Sequence, residues 1–107
     1  MVSTDAFTAL ALSFPDTEEQ PHFEKRSFRV KKKIFATLSE AKHQAVLKLS
    51  PEDQSVFCKY DEKIFYPATG AWGKQGWTIV ELKKVRKDMF KDALTEAYRT
   101  VAKKERG

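Results

Sequence analysis

The sequence predicts an α+β domain: helices at both ends of the chain and a run of antiparallel strands between them. Three observations carry this. Residues 4–14 and 86–103 repeat apolar side chains at helical spacing. Residues 26–30, 34–38 and 45–49 read as strands joined by short connections. Trp77-Thr78-Ile79-Val80-Glu81-Leu82 adds a β-branched and aromatic stretch directly after a glycine-rich turn.

With 107 residues the chain is expected to form a single domain over 1–107. A 41% hydrophobic content is enough for a modest core. No apolar run is long enough to span a membrane, and the N-terminus has no secretory pattern. One cysteine, Cys58, excludes an internal disulfide. A reducing, cytoplasmic setting is therefore expected.

Net charge is +5, unevenly placed. Residues 1–24 carry −5 and residues 25–107 carry +10. A basic body points to an anionic partner, or to a solvated lysine surface.

The first helix is expected over 4–14. Ser3 or Thr4 caps it, and Asp5 complements the dipole. Phe7, Leu10, Ala11 and Phe14 share one face, and Pro15 ends it. Asp16–Pro21 reads as an acidic loop that would repel nucleic acid. In the first strand Phe28 and Val30 point inward, and in the third Ala45, Leu47 and Leu49 do. The first two strands meet at Lys31-Lys32-Lys33, a hairpin tip without the usual Asn-Gly signal.

Ser50-Pro51-Glu52-Asp53 starts a helix: a capping serine, proline at the first position, an acid three residues after the cap. It is expected to reach Lys59 and to bury Val56, Phe57 and Tyr60. A short strand, Ile64-Phe65-Tyr66, ends at Pro67. Residues 70–78 hold three of the four glycines and both tryptophans, which reads as a shaped loop feeding the next strand. Trp77 is expected buried and Trp72 partly exposed. The closing helix carries a stripe of Val85, Met89, Ala93, Leu94, Ala97, Tyr98 and Val101. Lys83, Lys84, Arg86 and Lys87 crowd its N-terminal end, opposed there by Asp88 alone.

No catalytic constellation is visible. His22, His43 and Cys58 lack metal-ligand spacing, and no P-loop, dinucleotide fingerprint or nucleophile elbow occurs. The sequence therefore predicts no enzyme, no metal and no cofactor.

Ala11-Leu12-Ser13-Phe14-Pro15, His22-Phe23, Ser27-Phe28-Arg29-Val30 and Lys33-Ile34-Phe35-Ala36 follow a recognisable order. So do Ser50-Pro51-Glu52, Trp72-Gly73-Lys74-Gln75-Gly76-Trp77-Thr78 and Ala97-Tyr98. In these the chain resembles the MmcQ/YjbR-like family of small bacterial proteins. The tryptophan-glycine segment is the most specific piece. Relatives often carry glycine or asparagine before the hairpin lysine, whereas Lys31 and Lys32 stand here. The resemblance implies an α+β fold with an antiparallel sheet flanked by helices, an N-terminal one and a long C-terminal one. It also implies the DNA-binding label commonly given to the family, although neither a helix-turn-helix nor a zinc finger is present.

Two functions are expected from these residues. One is DNA binding through the phosphate backbone, largely insensitive to sequence. Lys31, Lys32, Lys33, Lys74, Lys83, Lys84, Arg86 and Lys87 would make the contacts, with Trp72 stacking or wedging. The other is a non-enzymatic interaction module for a protein partner or a second copy of the chain. Basic groups gathered on one face favour the first, and an apolar patch on the sheet favours the second.

Overall fold

The computed structural model describes residues 1–22 and 24–104. Phe23, half of the His22-Phe23 pair, lies outside the described residues.

In chain order the elements are α1 (Thr4–Leu12), β1 (Thr17–His22), β2 (Lys25–Val30), β3 (Lys33–Ser39) and β4 (Gln44–Lys48). They continue with α2 (Pro51–Tyr60), β5 (Phe65–Pro67), α3 (Ala71–Lys74), β6 (Trp77–Glu81) and α4 (Lys87–Lys104). The strands form one antiparallel sheet in the order β1-β2-β3-β4-β6-β5. The α+β expectation is met, with a helix near each terminus.

The long helices cover one face only. Phe7 of α1 packs, tilted, between Phe28 of β2, 5.2 Å between ring centroids, and Phe90 of α4, 5.3 Å. Tyr98 of α4 meets Phe35 of β3 edge to face at 5.6 Å, and Phe57 of α2 meets Phe65 of β5 at 5.2 Å. The strands alternate accordingly: Ala45, Leu47, Thr78 and Val80 lie under the helices and are buried. Gln44, Val46, Lys48, Trp77, Ile79 and Glu81 face the other way.

Two local rules read from sequence hold to the atom. The Ser3 hydroxyl accepts from the Ala6 N–H at 3.0 Å, and the Ser50 hydroxyl accepts from Asp53 N–H at 3.1 Å.

Other expectations are corrected. Asp16–Pro21 is not a loop, because Thr17–His22 pairs with β2 as an edge strand. An edge strand bonds on one side, so Pro21 is tolerated, and its acids protect the free edge. Glu19 also receives Arg26 Nη2 at 2.9 Å. That bond holds the Glu19 carboxyl below the usual carboxylate range.

The second helix extends to Tyr60 but buries only Phe57, since Val56 is 63% and Tyr60 52% exposed. The glycine-tryptophan segment contains a short helix, α3. The closing helix starts at Lys87, with Val85 buried just before it. Phe90, absent from the predicted stripe, is fully buried, whereas Met89 is half-buried. Register in β3 shifts opposite Phe28 and Arg29, a bulge that lets both Phe35 and Ala36 face the core.

Val30 pairs with Lys33, so the hairpin turns on two residues, Lys31 (φ 52°) and Lys32 (φ 72°). Positive φ at both central residues marks the type I′ class of hairpin turn, a conformation that lysine adopts at a cost. Replacing the pair by Asn-Gly (Lys31→Asn with Lys32→Gly) should raise stability by about 1 kcal/mol, net of the entropy of the added glycine. The denaturation midpoint measures this, and an unchanged midpoint would show that the lysines sit there unstrained.

Candidate nucleic-acid interface

The helix layer leaves the other face of the sheet open. A groove of about 450 Å³ crosses it, lined by His22, Lys25, Ile34, Thr37, Val46, Ala68, Trp72, Trp77 and Ile79. Its floor is apolar because strand alternation sends Val46 and Ile79 outward as a cross-strand pair. The bulge in β3 puts Ile34 opposite Arg29 on the same face.

Trp77 is corrected here. It is half-buried on the open face, since its strand buries Thr78 and Val80 instead. Trp72 is 62% exposed and stands edge-on to Trp77, with ring centroids 6.5 Å apart. The pair is held from several sides. Lys48 Nζ lies 5.5 Å from the Trp77 ring centroid and donates to the Gln75 carbonyl. Gln54 Nε2 donates to Gly73 O at 3.0 Å and to Thr78 Oγ1 at 3.1 Å. Leu49 N–H donates to Gly76 O at 3.0 Å. The two indoles therefore sit on a braced turn, a rigid platform for a flat ligand.

Register assigns Lys25, Ser27 and Arg29 of β2 to the open face. Arg29 Nε donates to Ser27 Oγ at 3.2 Å, which steers the guanidinium along the strand. On the β6 side Tyr66 and Gln44 Nε2 both donate to Glu81 Oε2, the latter at 2.8 Å. The Glu81 carboxylate pushes the Tyr66 hydroxyl up to about 12, so at neutral pH it remains a donor.

The sequence-predicted cations fall into two groups. β3 runs the height of the sheet from Lys33 to Ser39, about 20 Å. Lys31 and Lys32 turn beyond its Lys33 end. Lys48 and Trp77 pair near that end, and Lys74 and Trp72 lie in the helix just before Trp77. Lys83, Lys84, Arg86 and Lys87 follow β6 at the opposite end and lead into the helix layer. There Asp88 accepts from Met89 N–H at 2.8 Å and pairs with Arg86 at 3.5 Å, so the first turn of α4 carries its own carboxylate. The tip, Lys74 and Trp72 thus share one end, and the helix-start cluster does not join them. Lys25, Arg29, Gln44, Tyr66 and Glu81 were missed because only cross-strand register collects them.

The remaining candidates are structural. His43 Nε2 lies 3.1 Å from Val2 O, and its carbonyl accepts from Leu82 N–H at 3.1 Å. Burial pushes the Cys58 thiol up, away from reactivity. Among the described residues no group of histidine, cysteine and acids could hold a metal ion. No helix among them is long and apolar enough to cross a membrane.

A family model described as YjbR matches residues 12–100. No curated protein matches the sequence. Among solved structures the chain is similar to the crystal structure of Deinococcus radiodurans protein DR2400, which has a DUF419 domain. The TM-score is 0.86 at 22% identity, covering 98% of this chain and 82% of that one. At this identity the likeness bears on the fold, the same α+β architecture, and on nothing finer.

Proposed function

The chain belongs to the YjbR family, and from that fold we propose that the open sheet face binds nucleic acid, taking single-stranded DNA in preference to duplex. The supporting observation is Trp72, 62% exposed at the mouth of an apolar groove, with Trp77 braced beside it. A duplex hides its base faces, whereas a single strand can lay them on indole rings while its phosphates meet lysine and arginine. Lys25 lines the groove, Arg29 stands across from its Ile34, and Lys31, Lys32 and Lys74 extend the cationic path at its tryptophan end. Phosphate contacts and stacking carry little sequence information, so binding is largely sequence-independent. Nothing in this reading requires chemistry on the bound strand: the domain is a binding module, not an enzyme.

The test is a salt-stepped anisotropy titration with a labelled dT12 strand and a duplex of equal length. Neutralising three to four phosphates gives a log–log slope of about −2 to −3 on the single strand. Replacing Lys31, Lys32 and Lys74 by glutamine should flatten that slope. The same change at Lys83, Lys84 and Lys87, at the far end of the sheet, should not. Trp72→Ala should weaken binding by about 1–3 kcal/mol.

A second reading has its own support: Ile34, Val46 and Ile79 make the groove floor apolar, which also suits a second copy of the chain. Absence of binding to either DNA at low salt, with a dimer in sedimentation equilibrium, would replace the first reading by this one.

A further inference from the structure

The groove floor runs along β6 from Trp77 through Ile79, and Glu81 is the next residue on that face. Trp77 and Glu81 are four residues apart on one face, about 13 Å. That distance is two nucleotide steps of an extended strand. A base stacked at Trp77 therefore places the next base but one at Glu81.

What Glu81 offers such a base follows from its partners. The Tyr66 hydroxyl and the Gln44 amide both donate to Oε2. A carboxylate only accepts, so the Gln44 N–H group must face it and the Gln44 carbonyl oxygen faces away. Gln44 Nε2 is also 3.4 Å from the Tyr66 hydroxyl oxygen. The donors of the cluster are thus turned inward, and no hydrogen bond reaches Glu81 Oε1 among the described residues. The cluster presents acceptors and one negative charge, on a protein whose groove otherwise attracts anions.

A phosphate is repelled by that corner, and a base edge rich in N–H groups is attracted. Guanine presents two adjacent donors, N1–H and the N2 amino group. Thymine has one ring N–H, and adenine and cytosine one exocyclic amine each. We infer that Glu81, oriented by Tyr66 and Gln44, is a guanine-reading residue on the open sheet face, and this inference rests on the single-strand reading above. Tyr66 and Gln44 fill the acceptor sites of Oε2, so the base meets Oε1, and N1–H with the N2 amine converge on that one charged oxygen, a contact a single donor cannot match.

The experiment compares dT12 with the same strand carrying one central dG, dA or dC, and with one carrying inosine, which keeps N1–H but lacks the N2 amine. Wild-type protein should bind the dG strand roughly tenfold tighter than dT12, within the range a paired hydrogen-bond contact to a base supports. Inosine should recover only part of that gain. In Glu81→Gln the dG strand should lose its advantage over dT12, the readout being the ratio of the two affinities and not either one alone. Equal binding of dG and dT12 strands by wild type overturns the inference and leaves the single-strand reading standing. So does a dG preference that survives in Glu81→Gln or is matched in full by inosine. Failure to bind any of the strands removes both. The inosine arm uses unaltered protein, so the result does not depend on the variant folding.

Discussion

Gly76→Ala is expected to lower stability by about 3–5 kcal/mol, a large share of the roughly 5–15 kcal/mol that holds a domain of this size folded. Two costs coincide at this residue. Its φ of +104° lies where side chains are strained. A Cβ there would also collide with the Leu49 carbonyl oxygen and stand 3.0 Å from the carbonyl carbon. Leu49 cannot retreat, because its N–H donates to Gly76 O at 3.0 Å and its side chain is fully buried. The other two loop glycines separate the terms. Gly70 has φ +65° and ψ −146° with open space around it, so Gly70→Ala tests backbone strain alone, about 1–3 kcal/mol. Gly73 has no positive φ, yet its Cβ would strike the Ala68 carbonyl oxygen, so Gly73→Ala tests crowding alone. Chemical denaturation of the three variants should rank Gly76→Ala as the most damaging. A midpoint for it as high as that of Gly70→Ala would show that the β4–β6 contact yields without cost.

Rules that act within a few residues were legible. The Ser50-Pro51 start, the Ser3 cap, and the alternation that buries Phe28 with Val30 and Ala45 with Leu47 all follow from local chemistry. Features that depend on a distant neighbour were not. β1 has no apolar alternation, because an edge strand exposed along most of its length needs none. The bulge that turns Phe35 inward depends on β2, and the positive φ of Lys31 and Lys32 has no sequence signal at all. Trp77 was misplaced for a related reason. A strand rich in apolar residues on both faces does not tell which face the helices cover, and here it is the Thr78–Val80 side that is buried. The candidate site was half legible: charge alone marked Lys31, Lys32 and Lys74, and the glycines marked Trp72. Charge could not separate them from Lys83, Lys84, Arg86 and Lys87, which share the sign but lie at the other end of the sheet. Gln44 and Glu81, 37 residues apart in sequence, meet only across the β4–β6 ladder.

Phe90→Ala is expected to cost about 3–5 kcal/mol, and Met89→Ala much less, about 1 kcal/mol. The periodicity of the closing segment fits two neighbouring stripes. One runs from Val85 through Met89. The other runs through Phe90, Ala93, Leu94, Ala97 and Val101, at spacings of three and four, and these five are the buried ones. Val85 is also buried, but it precedes the helix, so it does not fix the helix phase. Phe90 is the link between layers. Its ring lies 5.3 Å from Phe7, which in turn lies 5.2 Å from Phe28. Truncating Phe90 thus opens a cavity between α1, α4 and β2 and removes an aromatic contact worth about 0.5–1.5 kcal/mol beyond burial. A double-mutant cycle with Phe7→Ala should therefore give less than the sum of the single losses, since both remove the same ring pair. If Met89→Ala proves as costly as Phe90→Ala, the helix is turned by one residue from the phase described, and the stripe through Val85 and Met89 is the one that faces the sheet.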